Sequence, residues 1–173
     1  NIDDGMINVE RLKKDADLIS LHKDKQWTTI IIKTQKKINE IESHYNKPLK
    51  KELMEILHDD QHIRILYGNA AKKLNGYNNP TVDSLGKIMS YNDSIDLIKV
   101  IKIINKYGWV RPDSVGYMAA QALWAVIQHA DLKIQEKYLP MIRDSLSKGD
   151  NNDHRMLAAL EDRVALREGK KQI

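Results

Sequence analysis

Cysteine is absent from the 173-residue chain. That removes disulfides, thiolate metal sites and a cysteine nucleophile together. Glycine is sparse: eight residues, scattered, with no Gly-x-Gly anywhere, so no glycine-rich loop can cradle a phosphate. No Gly-x-Ser-x-Gly elbow presents a serine, and no His-Glu-x-x-His offers paired ligands on a helix. Neither a cofactor nor a resident metal is therefore expected. Long hydrophobic runs are missing as well. The densest, "YMAAQALWAVI" (117–127), is interrupted by Gln121 and falls short of the ~18 apolar residues of a membrane span. Charge of one sign is the last absence. The net charge is only +4, and "RLKKDADLISLHKDK" (11–25) sets an acid near each basic pair. That is a solvated mixed-charge face, not the one-signed stripe of a nucleic-acid binder.

What is there fits an ordinary folded domain: 42% hydrophobic and 30% charged residues. The length suits one domain with its own core. The expectation is a single helical domain over 1–173, with N-terminal helices in 1–48 packing on a core of 49–173. Asn1 stands where an initiator Met would be. With the lack of cysteine, it leans the expected location towards an exported protein freed of its leader.

Nearly every long segment repeats with helical period. Trp27, Ile31, Thr34, Ile38, Ile41 and Tyr45 advance by alternating fours and threes, marking one helix face. Lys33, Lys36, Lys37, Glu40 and His44 lie on the wet side, and Asn46 with Pro48 ends the run. The β-branched "TTIII" favours a strand locally, but its in-phase continuation outweighs that propensity. An earlier helix is expected over about 6–21 and a third over about 49–74, with Leu53, Leu57, Arg64 and Tyr67 on one face. "NGYNNP" is a loop, and 81–91 is expected to hold only a short helical turn.

"NDSIDLIKVIKIINKYG" carries helix signals at both ends: Asn92 or Asp93 as N-cap, Gly108 as terminator. Asp113 or Ser114 is expected to cap the next helix, running to about Ala130. Another covers about 132–147, where Pro140 should kink or split it. "SKGDNND" is a turn, and a last helix spans about 153–167, closed by Gly169. No alternating runs flank an Asn-Gly turn. The fold class is all-α: a single compact bundle of roughly six to seven helices with mostly antiparallel neighbours.

Some polar residues sit where helix formation alone does not require them. Tyr117, Gln121, Trp124, Gln128 and Asp131 form a polar-tipped stripe on a helix apolar nearly all round. In the third helix, the apolar phase of Leu53 and Leu57 meets Asp60, Gln61 and Arg64, and Asp60 with Arg64 can pair at i, i+4. In the last helix, Asp162 and Arg163 adjoin the core positions Leu160 and Val164. A buried polar group left unmatched costs ~1–3 kcal/mol, so three such helices invite the question of whether they meet.

These segments carry a resemblance. "DQHIR" (60–64), "INKYGW" (104–109), "SVG" (114–116), "IQHAD" (127–131), "LEDRV" (160–164) and "GKKQI" (169–173) resemble, in order and spacing over about 50–173, a bacterial family, domain-of-unknown-function family 6624. The family's pattern has Gly-Trp-Pro after the "KYG" helix; here Val110 and Arg111 precede Pro112. The resemblance implies domain limits and a choice of motifs, but no reaction.

Three functions follow as expectations. The first is a small polar or anionic ligand held by Gln61, Arg64, Gln128, His129, Asp131, Asp162 and Arg163, the arginines supplying charge and the glutamines hydrogen bonds. The second is a hydrolase in which His129 is the proton carrier and Asp131 orients it. The two residues are two apart, so the helix must break near Ala130 for them to cooperate. Against this stands a plainer reading, with His129 at a helix C-terminus and Asp131 capping the next helix. The third is a protein-interaction module whose polar cluster only sets helix register. His58 and His62, at i, i+4, could share a metal, but such a pair is more often simply solvated. Trp27 and Trp109 are expected to pack rather than stack on a ligand.

Overall fold

The computed structural model describes residues 9–147 and 154–171; among them the chain is helical, with no strand. Three short elements come first: α1 (Val9–Lys14), a 3-10 helix (Ala16–Lys23) and α2 (Trp27–Glu42). The single helix expected over 6–21 is divided because the Asp15 side chain accepts from the Asp17 N–H and starts a new element. These three elements pack on one another. Contacts to the rest of the described chain include the following. The Asn46 N–H donates to the Ser114 carbonyl (2.8 Å), Lys50 Nζ donates to Glu42 (2.8 Å), and the Tyr45 ring lies against Gly116.

The body consists of α3 (Lys47–Lys73), α4 (Pro80–Tyr107), α5 (Pro112–Val115), α6 (Tyr117–His129), α7 (Leu132–Ser147) and α8 (His154–Arg167). Asn46 caps α3 by accepting from the Leu49 N–H, with Pro48 in the first turn. Asn79 does the same for α4, accepting from the Thr81 N–H ahead of Pro80. So α4 is one helix of 28 residues. The expected cap at Asn92 or Asp93 does not form, and 81–91 is full helix. Gly108, at φ 73°, ends it. The helix expected from Asp113 to Ala130 is cut by Gly116, at φ 86°. Neither Asp113 nor Ser114 caps it; the Ser114 hydroxyl bonds back to the Arg111 carbonyl. A Cβ on Gly116 would stand 3.1 Å from the Tyr45 ring, so both backbone and neighbour demand glycine there.

Pro140 neither splits nor ends α7. It cannot bond the Glu136 carbonyl, but both residues are exposed, where solvent can take the place of the lost hydrogen bond. The turn expected around 147–153 lies largely outside the described residues. Gly169 follows α8 at φ 75°.

α3, α4 and α6 pack against each other, α7 lies on α6, and α8 packs on α7. Leu53, Ile56, Val100, Val115, Leu123, Ile127 and Leu160 form the heart of the core, each large aliphatic contributing roughly 1.5–3 kcal/mol by burial. The buried face of α6 is rich in alanine (Ala119, Ala120, Ala122, Ala125), which lets its neighbours approach closely. Trp109 and Trp124 pack on the core margin. No helix among the described residues is long and apolar enough to cross a membrane.

Candidate functional site

Asp60 falls in phase with Leu53, Ile56 and Leu57 on the inner face of α3 and is 1% exposed. Such a carboxylate needs partners. Gln61 Nε2 donates to Oδ2 (2.7 Å). His129, the last residue of α6, meets Oδ1 through Nδ1 (2.9 Å). Arg64, one turn along α3, donates from Nε to His129 Nε2 (3.1 Å) and from Nη2 to Asp93 Oδ1 on α4 (2.9 Å). Its Nη2 also stands 3.4 Å from Asp60 Oδ1. Three helices are thus joined at one polar knot.

The partners assign the imidazole tautomer. Guanidinium N–H groups can only donate, so Nε2 is the acceptor and Nδ1–H donates to Asp60. Both ring nitrogens are occupied. Asp131 is elsewhere: exposed, with Oδ1 accepting from the Ile134 N–H (2.9 Å) at the start of α7. α6 ends at His129 and Ala130 is extended, which turns Asp131 towards the next helix. The carboxylate that orients His129 is Asp60, 69 residues away, not Asp131.

The remaining expected residues lie near the same end of α6 but act on the backbone. Arg163 Nη1 and Gln135 Nε2 both donate to the Gln128 carbonyl (2.8 and 2.7 Å), and Arg167 Nη1 donates to the Ala130 carbonyl (2.8 Å). A helix C-terminus leaves its last carbonyls unbonded, and α7 and α8 supply the donors. Arg163 therefore bonds a main-chain oxygen. Asp162 is half-buried beside it on α8. The structure gathers Gln61, Arg64 and His129 at one knot, brings Gln128 and Arg163 together next to it, and leaves Asp131 outside.

A groove of about 430 Å³ runs between α3 and α6, next to this knot. α3 lines it with Met54, Leu57, His58 and Gln61; α6 lines it with Met118, Gln121, Trp124, Ala125 and Gln128. Its surface is mainly apolar, and no Asp, Glu, Lys or Arg contributes. The stripe seen in the sequence, Gln121–Trp124–Gln128, is one wall. The Trp124 indole is held by the Met156 carbonyl of α8 (2.9 Å). Sequence reasoning missed Met54 and Met118, although their place on the flanks of two apolar helix faces was a usable signal, and it read His58 only as a partner of His62. It also read Asp93 as a cap.

His58 stacks on His62 (ring centroids 5.3 Å apart), and both are exposed. Among the described residues no three His, Cys, Asp or Glu side chains gather as metal ligands. Asp96, on α4, is buried beside Lys99 Nζ (2.8 Å), with Oδ2 unpartnered. Burial pushes its carboxyl above the ordinary carboxylate range despite the lysine, and the charges of Asp59 and Asp60 add to the rise. The hydrogen bond from Lys99 to Asp96 in turn raises the ammonium.

No curated protein and no solved structure matches this chain. The helical body, from α3 through the knot and groove to the end, coincides with a match over residues 47–173, and by it the chain belongs to the family of unknown function DUF6624.

Proposed function

We propose that the domain is a binding module for a small, neutral, amphipathic molecule, seated in the groove between α3 and α6. One observation carries this reading: a mainly apolar trough of about 430 Å³ lined by three glutamines and by no Asp, Glu, Lys or Arg. Clefts of this size with a few convergent polar groups are the usual form of small-molecule sites. The Gln121 and Gln128 side-chain amides bond to no other described residue, so they stand ready for a ligand's carbonyl or hydroxyl groups.

An anionic ligand gets less support than the sequence suggested. Arg64 is spent on Asp93, Asp60 and His129, and Arg163 on the Gln128 carbonyl. A hydrolytic role for His129 and Asp131 gets none from this geometry, since the imidazole has no free nitrogen and does not line the groove. In this reading His129, Asp60 and Arg64 position the two walls.

The test is titration with N-phenyl-1-naphthylamine, a neutral fluorophore that brightens in apolar sites. Saturable one-to-one binding to the wild type, lost in Met118→Trp, is expected. Absence of binding to the wild type, or equal binding to both proteins, overturns the reading.

A further inference from the structure

α4 has two apolar faces. One turns Val82, Val100, Ile103 and Ile104 inward, buried on the side that packs against α3 and α6. The other faces water. Ile88, Tyr91, Ile95 and Ile98 are 49, 67, 36 and 52% exposed. They advance by three, four and three residues, which sets them in one row about 15 Å long on a helix. None of them lines the groove between α3 and α6. A contiguous exposed row of large apolar side chains marks a contact surface, and this spacing is that of a two-helix coiled-coil seam. Polar residues close the row at both ends: Ser84 one turn before Ile88, and Lys102 one turn after Ile98. Asp83 and Lys102 are exposed, and their side chains pair with no other described residue.

We infer that this row is the interface of a homodimer, in which α4 of one copy packs antiparallel on α4 of a second copy about a two-fold axis. The row is self-complementary in that direction. With the axis midway between Tyr91 and Ile95, Ile88 meets Ile98 of the second copy and Tyr91 meets its Ile95. The most exposed member of the row thus sits on the least exposed one. Ser84 meets Lys102, and Asp83 beside it comes within reach of that ammonium, at both ends of the seam. Lys87 and Lys99 share a level in this register but lie on opposite flanks. A parallel pair would stack Lys102 on Lys102 and set Asp83 beside Asp83. Charge therefore selects the antiparallel copy, and a contact of this symmetry closes at two subunits. One helix pair of this length falls short of the interface of an obligate dimer, so the association is reversible. It leaves the groove open in both copies.

Sedimentation equilibrium of the wild type up to about 1 mM is the test. A monomer–dimer equilibrium in the micromolar range is expected. Ile95→Glu should weaken it about 100-fold or more, since both copies lose a buried isoleucine. Because the site is exposed, circular dichroism and fluorophore binding should not change. Asp83→Lys and Lys102→Asp should each weaken dimerisation about 5-fold, and the double variant should restore it. A nitroxide on Ser84→Cys, the sole thiol in this chain, reads the direction. Helix rise puts the two labelled positions about 27 Å apart in the antiparallel pair and side by side in a parallel one. Should Ile95→Glu fail to fold, the charge swap and the label distance decide. A wild type that stays monomeric overturns the inference, and so does a monomer that binds phosphatidylglycerol vesicles through this row instead. A dimer indifferent to Ile95→Glu, a double variant that restores nothing, or labels in close contact also overturns it.

Discussion

Asp60 and Gln61 are neighbours in the chain yet face two regions of opposite character. Around Asp60 everything is paired: three helices meet, and carboxylate, imidazole and guanidinium saturate one another. Around Gln61 the surface is apolar, open and underpaired, with free amides on the α6 wall. The first region behaves as a fastener. Its groups are chemically potent but have no capacity left. The second holds nothing a chemist would call reactive, yet it has volume and glutamine amides on α6 that no other described residue occupies. Titratable residues in one place are thus a poor guide to function unless their partners are counted.

The largest effect should come from the fastener. Asp60→Ala strands Arg64 and His129 in a half-buried site, and losing one partner of such a network costs about 3–5 kcal/mol. Urea unfolding checks it. A change as small as that of a surface substitution would dissolve the distinction between the two regions. A Gly116→Ala substitution comes next. It strains the start of α6, the helix both regions share, and presses on Tyr45, for a loss of about 1–3 kcal/mol. Thermal unfolding should show the drop, and the fluorophore should bind less tightly if the position of α6 sets the groove.

A smaller effect tests the border of the fastener. The Asp96 carboxyl has a raised pKa in the folded protein, so folding favours its protonated form. The stability this provides is full below the ordinary carboxylate range and is lost as pH rises through the raised value. Asp96→Asn should flatten that dependence, gaining on the wild type in urea midpoint from acid towards neutral pH. Parallel pH profiles would contradict the assignment. The smallest change in stability belongs to the groove: Gln121→Ala should shift unfolding by about 0.5 kcal/mol or less, while weakening N-phenyl-1-naphthylamine binding. A large loss of stability would mean that Gln121 is structural, as Asp60 is.

The sequence carried much of the fold and little of the knot. α2 and α8 were legible from their period, and α3 also from its cap, with Asn46 and Pro48 at its start. α4 was cut short because Asn92 and Asp93 look like caps. The same short carboxylate that caps a helix can sit mid-helix when a distant arginine claims it, and Arg64 lies 29 residues away. The Asn79-Pro80 pair was the true signal, hidden inside a segment read as loop. Gln61, Arg64 and His129 were singled out as polar groups in apolar phase, a pattern visible within one helix. Asp60 was singled out with them and paired with Arg64, but its bond to His129 was not legible, since period shows which face a residue takes and not which helix it meets. Asp131 went to its plainer role because the break at Ala130 turned it outward.

The claim that the groove is the binding surface is tested most directly by where a bound probe touches the protein. The chain has six methionines. Met54 and Met118 line the groove. With methyl-labelled methionine and N-phenyl-1-naphthylamine, intermolecular Overhauser contacts are expected to the methyls of Met54 and Met118 and not to those of Met89 or Met141. Contacts that miss Met54 and Met118 would place the ligand elsewhere and contradict the account.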